Sequence, residues 1–113
     1  MIVTALMLTL AHGQTPSYHV VQAVVPGLRS PQQAAQVDMQ LRSLPGVLMT
    51  RTDHNTRNLL LHVETSAALN EDAIRLVLTP LALDLRCFRR LPHAPGSFHH
   101  LDPRDCGSLI PVR

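Results

Sequence analysis

Residues 18–25 are rich in valine and are predicted to form a first β-strand, in which successive side chains alternate between two faces. Val21 and Ala23 fall on one face of this strand, and Val20 and Val24 fall on the other. Both faces therefore carry aliphatic side chains.

The period changes from two to that of a helix after the segment Val25-Pro-Gly-Leu-Arg. Ser30 supplies a side-chain oxygen for an N-cap, and Pro31 suits the first helical position. Gln33 stands where the partner of a capping box is expected. Pro45-Gly46 ends the helix. The apolar stripe of this helix consists of Ala34, Val37, Leu41 and Leu44.

A hairpin follows, with strands predicted over residues 47–53 and 58–64 and a turn at 54–57. The inward positions of its second strand are Leu59, Leu61 and Val63. Asn70 then caps a short helix that Pro80 ends.

A fourth strand is predicted over residues 83–90, with Leu83, Leu85 and Cys87 pointing into the core. Two split βαβ units arise from this order of elements. Residues 18–91 are therefore predicted to form an α+β, ferredoxin-like βαββαβ sandwich, with one antiparallel sheet and both helices on one face.

The chain of 113 residues suits a single domain, and a hydrophobic content of 45% with 16% charged residues is globular. The net charge of +2 is too small to indicate a nucleic-acid partner.

Residues 1–13 differ from the rest of the chain, because the first ten are apolar and uncharged. Ala11-His-Gly13 fits a small-x-small cleavage site, so we predict a signal peptide. The run is too short for a stable membrane span, which needs about 20 residues; a buried first strand is the alternative. Export would place a mature domain of residues 14–91, with an irregular tail of residues 92–113, in a bacterial periplasm or outside the cell.

The segments Val25-Pro-Gly-Leu28 and Leu44-Pro-Gly-Val47 resemble the heavy-metal-associated (HMA) domain of copper chaperones and metal-pumping ATPases. Val25-Pro-Gly-Leu28 resembles the opening of that family's metal loop, and Leu44-Pro-Gly-Val47 resembles its helix-to-strand turn. The resemblance implies a βαββαβ fold and, in the family, Cu(I) or Zn(II) bound by a C-x-x-C pair. The corresponding positions here are Ser30 and Gln33, so the metal motif is degenerate and no loop cofactor is expected.

The tail offers other potential ligands for copper or zinc. Six stand within residues 93–106, although their spacing matches no known metal motif. These candidates are His93, His99, His100, Asp102, Asp105 and Cys106. The alternative is that they belong to a polar loop.

Cys87 and Cys106 form the only cysteine pair of the chain, and exported small proteins often bridge such pairs. A bond between them would close a loop of about 20 residues and contribute roughly 3 kcal/mol in the chain-entropy model. The alternative for Cys87 is a small buried hydrophobic residue.

No catalytic motif is present, so the chain is not expected to be an enzyme. The face of the sheet opposite the helices is expected to expose an apolar set beside Arg90, for a protein partner or a homodimer. This set is Val20, Val24, Leu60 and Phe88. The tail's Leu109 and Ile110 are an alternative cover. Two functions are therefore considered: an exported, non-enzymatic interaction module that has lost its metal site, or a copper or zinc carrier using the tail ligands.

Overall fold

A computed structural model describes residues 18–92 and 99–107. Its four strands form one antiparallel sheet in the order β2-β3-β1-β4. The elements in chain order are β1 (Tyr18–Val24), α1 (Pro31–Arg42), β2 (Val47–Asp53), β3 (Asn58–Glu64), α2 (Glu71–Leu78), a 3₁₀ turn (Thr79–Leu81) and β4 (Arg86–Leu91). The ferredoxin-like βαββαβ prediction is therefore confirmed. The predicted signal peptide, residues 1–13, lies outside the described residues.

Both helices pack on the same face of the sheet, which we call the helix face. Val37 and Leu41 of α1 and Ile74 and Leu78 of α2 are fully buried there. The strands contribute Val21, Ala23, Leu59, Leu61 and Val63. The predicted inward positions of β3 are thus correct, because the alternation along the strand is unbroken.

Each helix begins at the side-chain cap expected from the sequence. The Ser30 hydroxyl accepts a hydrogen bond from the Gln33 amide, and the Asn70 side-chain oxygen accepts one from the Ala73 amide. The α2 helix itself ends at Leu78, before the 3₁₀ turn. The two N-cap hydrogen bonds satisfy amide groups in the first turn of each helix that have no partner within the helix.

Strand β4 contains a β-bulge that reverses part of the predicted pattern. Val24 pairs with Arg86 but Gln22 pairs with Arg89, so two residues of β4 stand opposite Ala23. The first of them, Cys87, has a φ of 60°, in the left-handed region. An extra residue of this kind shifts every following side chain to the other face.

The bulge makes two of the predicted orientations wrong. Phe88 packs against the helix-face core and does not belong to the open face. Cys87, which was predicted to point inward, is half-buried and bonded to Cys106 in the tail. Leu83 and Leu85 are buried as predicted, although they precede β4, which begins at Arg86.

The same shift places Arg90 on the helix face, opposite Val21, and not on the open face as predicted. Its guanidinium donates to the Leu69 carbonyl oxygen at 2.8 Å and to His19 Nδ1 at 2.7 Å. It also donates to the carbonyl oxygens of Ala67, Glu64 and Thr65. Arg90 therefore fixes the loop between β3 and α2.

Candidate functional site

The loop between β1 and α1 is the one that the sequence resemblance predicted to correspond to a metal loop. It packs closely on the core, because Leu28 is buried and a Cβ added at Gly27 would come within 2.9 Å of Leu83 Cδ2. The Leu28 amide donates to the Val25 carbonyl oxygen at 3.1 Å. The backbone of this loop is thus held in place before any metal is considered.

Ser30 and Gln33, which the sequence resemblance placed at the positions of the C-x-x-C pair, both form hydrogen bonds with the backbone. The Ser30 hydroxyl accepts from the Gln33 amide at 3.2 Å. The Gln33 side-chain oxygen accepts from the Arg29 amide, one residue earlier than a standard capping box predicts. A hydroxyl and an amide are hard donors, whereas Cu(I) selects soft thiolates. These residues therefore do not fit a Cu(I) site.

The opposite side of the sheet, which we call the open face, is crossed by residues 99–107, the tail segment. Leu101 is buried, and its backbone forms two hydrogen bonds with the side chain of Asn58. The Leu101 amide donates to Asn58 Oδ1 at 2.7 Å, and Asn58 Nδ2 donates to the Leu101 carbonyl oxygen at 2.8 Å. The side-chain amide of Asn58 therefore pairs with the Leu101 backbone as a neighbouring strand would, with one donated and one accepted hydrogen bond.

Gln22 forms a second contact between the open face and the tail segment. Its side chain is 3% exposed; Nε2 donates to the His99 carbonyl oxygen at 3.0 Å. Its Oε1 accepts two hydrogen bonds from the Arg89 guanidinium, at 3.0 and 2.7 Å. A buried amide is costly unless its donors and acceptors are paired, so the tail segment completes this network.

The third contact is covalent. Cys87 and Cys106 are joined by a disulfide, with their Cα atoms 5.3 Å apart. A compact turn precedes Cys106, since its amide donates to the Asp102 carbonyl oxygen at 2.9 Å. The Asp102 carboxylate also accepts from the side chain of Arg104, which lowers its pKa. The tail segment is thus a folded turn bonded to the bulge of β4.

A groove with a volume of about 590 Å³ lies between the tail segment and β2 on the open face. Val20 and Leu60 provide its apolar lining, and His100 of the tail segment contributes to its wall. The other lining residues are Arg51, Thr52, Asp53, Asn58 and His62. Cavities of roughly 300–1,000 Å³ are the usual size of ligand sites.

His62 is oriented within the groove by an aromatic neighbour. The rings of Tyr18 and His62 stack with centroids 4.4 Å apart and planes 24° from parallel. Burial and, after it, the positive charge of Arg51 lower the pKa of His62. Its imidazole is therefore neutral at pH 7, with one nitrogen donating and the other accepting.

Asp53 and His100 stand together in the groove lining, with Asp53 Oδ2 3.9 Å from His100 Nε2. Burial raises the pKa of Asp53, but hydrogen bonds from the Thr56 hydroxyl and the Asn55 and Thr56 amides, together with the charge of His100, lower it by more. The net shift is downward, so Asp53 is a carboxylate at pH 7. The Asp53 carboxylate is thus directed at the turn between β2 and β3 and at His100 of the tail segment.

The predicted metal ligands of the tail are only partly within the described residues. His93 lies outside them, and His99 is exposed. His100 adjoins Asp53, Asp102 is bonded to Arg104, Asp105 accepts from the Gly107 amide, and Cys106 is oxidised. Within residues 18–92 and 99–107, no three histidine, cysteine or acidic side chains are arranged to hold a metal ion.

Three of the four predicted interaction residues are on the open face. Val20 and Val24 are buried, and Leu60 is half-buried in the groove lining. Sequence reasoning missed the polar part of the groove, above all Asn58 and Arg51. The available signal was an asparagine, Asn58, at the first position of a predicted strand. Its partner, Leu101, is 43 residues away in sequence, so no local pattern connects the two.

The sequence matches no protein-family model and no curated protein. Two solved structures are similar in fold. One is a structure described under crosstalk between Cu(I) and Zn(II) homeostasis. It is 9% identical to this chain with a TM-score of 0.53, and the match covers 59% of this chain and 94% of that chain.

The second is the Cu(I)-loaded N-terminal domain of a potential copper-translocating P-type ATPase from Bacillus subtilis. It is 10% identical with a TM-score of 0.55, and the match covers 61% of this chain and 85% of that one. This chain has the HMA-like fold. At such identities the likeness extends to the fold alone.

Neither helix of the described part is long and apolar enough to cross a membrane.

Proposed function

We propose that this chain is an exported, non-enzymatic HMA-like module that has lost the loop metal site and binds a protein partner through the groove on its open face. The observation that carries the proposal is the groove itself, where the half-buried Leu60 offers apolar surface beside the guanidinium of Arg51 and the buried Val20 completes the apolar lining. Apolar lining with a few directed polar groups is typical of binding sites.

Charge indicates the kind of segment that would occupy the groove. No carboxylate of residues 18–92 or 99–107 forms an ion pair with Arg51, whereas Asp53 adjoins His100 and Thr56. An apolar, extended segment of a partner protein that carries one acidic residue would therefore complement the site. Its carboxylate would lie against Arg51 and its apolar side chains against Leu60.

The loop supports loss of the family's metal chemistry. Ser30 and Gln33 both serve the start of α1, and neither is a soft ligand. The disulfide between Cys87 and Cys106 supports export, because such bonds persist mainly in oxidising compartments. Periplasmic or extracellular location remains part of the proposal, as does the absence of enzymatic activity.

A second candidate, a copper or zinc carrier that uses the tail ligands, is favoured by the fold similarity to a Cu(I)-loaded domain. It requires Cys106 as a thiolate, since a disulfide sulfur is a poor ligand. While Cys106 is bonded to Cys87, the interaction module is the better supported of the two.

Site-specific photo-crosslinking tests the interaction. Leu60→p-benzoylphenylalanine is expressed in the cells that naturally produce the protein, and Leu76→p-benzoylphenylalanine is the matched control, because Leu76 is 75% exposed on α2. We expect an adduct with one other protein from position 60 and none from position 76. Mass spectrometry should locate the cross-link in an apolar segment with an acidic residue.

Equal adducts from both positions, or none, would contradict the proposal, and an adduct of two copies of this chain would indicate a homodimer instead. Metal titration separates the second candidate. Wild type should bind neither Cu(I) nor Zn(II) after dialysis, and Ser30→Cys with Gln33→Cys should gain Cu(I) binding. Retention of either metal by wild type, together with two free thiols, would establish the carrier.

A further inference from the structure

The tail segment is held on the open face at three points of different chemistry. Asn58 forms two hydrogen bonds with Leu101, Gln22 forms one with the backbone of His99, and Cys87 is bonded to Cys106. Only the last contact is covalent. The first two exchange readily with water once the segment moves away, because each is a polar contact that water can replace.

The disulfide is placed where a reductant can reach it. Cys106 is exposed, and Cys87 lies on the bulge of the edge strand β4. Both residues have left-handed backbones, with φ of 60° and 65°. Such a backbone is uncommon for a residue other than glycine, and at Cys87 it accompanies the bulge.

The sheet does not depend on the tail segment for its main core. That core is formed by residues of the four strands, the two helices and their loops, and includes no residue of 99–107. The strand pairing is complete between β1, β3, β2 and β4. Releasing the tail segment therefore removes a cover and leaves the fold.

The groove, by contrast, does depend on the tail segment. His100 lines it and stands between the two hydrogen-bonded anchors at His99 and Leu101. A tail segment that leaves the open face takes this wall with it. It also exposes Val20 and Val24, the aliphatic side chains of β1 on that face.

The geometry points to a redox latch: the Cys87–Cys106 disulfide holds the tail segment on the open face, and its reduction releases the segment and removes the His100 wall of the groove while the sheet stays folded. The reductant is a dithiol. One of its thiolates attacks one sulfur of the disulfide, which breaks the protein S–S bond, forms a mixed disulfide and releases the other cysteine as a thiolate. The second thiolate of the reductant then attacks its own sulfur in the mixed disulfide and releases the second protein thiolate. The dithiol leaves as a cyclic disulfide, and its two electrons and two protons pass to the protein cysteines. Both protein cysteines end as thiols. The consequence for partner binding rests on the proposed function; the latch itself does not.

Amide hydrogen exchange tests the latch on the full chain, with and without dithiothreitol. In the oxidised protein the Leu101 amide is protected by its bond to Asn58. Reduction of the disulfide should lower the protection of the Leu101 amide by about a hundredfold. The Asn58–Leu101 contact then has to form without the second, covalent attachment that keeps the tail segment close. The amides of Leu61 and Val63 in the central strand should not change. The Cys87→Ser, Cys106→Ser double variant should show the reduced pattern without dithiothreitol.

Two results would overturn the latch. Unchanged protection at Leu101 after reduction would mean that the hydrogen bonds alone hold the tail segment. Loss of protection at Leu61 and Val63 as well would mean that the disulfide supports the whole fold. Cross-linking from position 60, repeated after reduction, should give less adduct. If it gives none in either redox state, the proposed function fails, while hydrogen exchange still decides the latch.

Discussion

The two faces of this sheet are covered in different ways. On the helix face, two helices bury a continuous aliphatic core around Leu61 and Val37. On the open face, a short segment without regular structure is held by the side chains of Asn58 and Gln22 and by one disulfide. Burial of apolar surface dominates folding, whereas polar contacts add specificity at small net gain. The helix face therefore maintains the fold, and the open face is the one that can change.

The largest expected effect is on the helix face. Leu61→Ala removes a fully buried side chain and leaves a cavity among packed neighbours. We expect the free energy of unfolding to fall by about 3.5 kcal/mol, measured by urea denaturation with the disulfide intact. Leu76→Ala, at an exposed position of α2, is the control and should stay within about 0.5 kcal/mol of wild type. A small effect at Leu61 would mean that this core does not dominate stability.

The open face should respond less. Asn58→Ala removes both hydrogen bonds to Leu101, so the tail segment can separate locally before the sheet unfolds. We expect a loss of about 1.5 kcal/mol by urea denaturation, smaller than that of Leu61→Ala. Asn55→Ala, in the exposed turn after β2, is the control and should change little. A loss at Asn58 as large as that at Leu61 would erase the difference between the two faces.

The difference between the faces also explains what the sequence could predict. The helix face depends on local patterns: alternation in β3, helical spacing in α1 and the caps at Ser30 and Asn70. All of these appear in the structure. Local patterns report local geometry, so the βαββαβ fold was within reach.

The open face depends on contacts that no local pattern carries. Asn58 meets Leu101 across 43 residues, and Gln22 meets His99 across 77. The bulge at Cys87 is equally hidden, because an extra strand residue leaves the hydrophobic composition unchanged while it moves Phe88 to the opposite face. The polar part of the groove depends on these long-range contacts and was missed for that reason, whereas its apolar residues Val20 and Leu60 were predicted.

A smaller effect is expected at the start of α1, where Ser30 has a structural and not a chemical task. Ser30→Ala removes the hydroxyl that accepts from the Gln33 amide. The expected loss in the free energy of unfolding is about 1 kcal/mol, the usual cost of removing a helix N-cap. Ser66→Ala, in the exposed loop after β3, is the control. No effect at Ser30 would leave its presence at a metal-loop position without a structural reason.

The smallest effect concerns pH and the open face. Because burial and the charge of Arg51 lower the pKa of folded His62, the unfolded chain binds a proton first as pH falls below 6.5. The stability contributed by the neutral imidazole is thus complete above pH 6.5 and is lost as pH falls through the lowered pKa. His62→Gln should lose less stability than wild type between pH 7.5 and about 5, measured by urea denaturation at each pH. A parallel decline in both proteins would mean that His62 is not the group responsible.

The bulge of β4 has a consequence for how this protein and its relatives compare over evolution. Removing Cys87 from the chain would leave Phe88 and Arg90 on the helix face and Arg86 and Arg89 on the open face, so strand pairing would continue as a regular ladder. Cys87 is therefore the one extra residue of β4, which the strand pairing itself does not need. Homologues that lack the tail cysteine should lack this residue as well, and the two should be gained or deleted together.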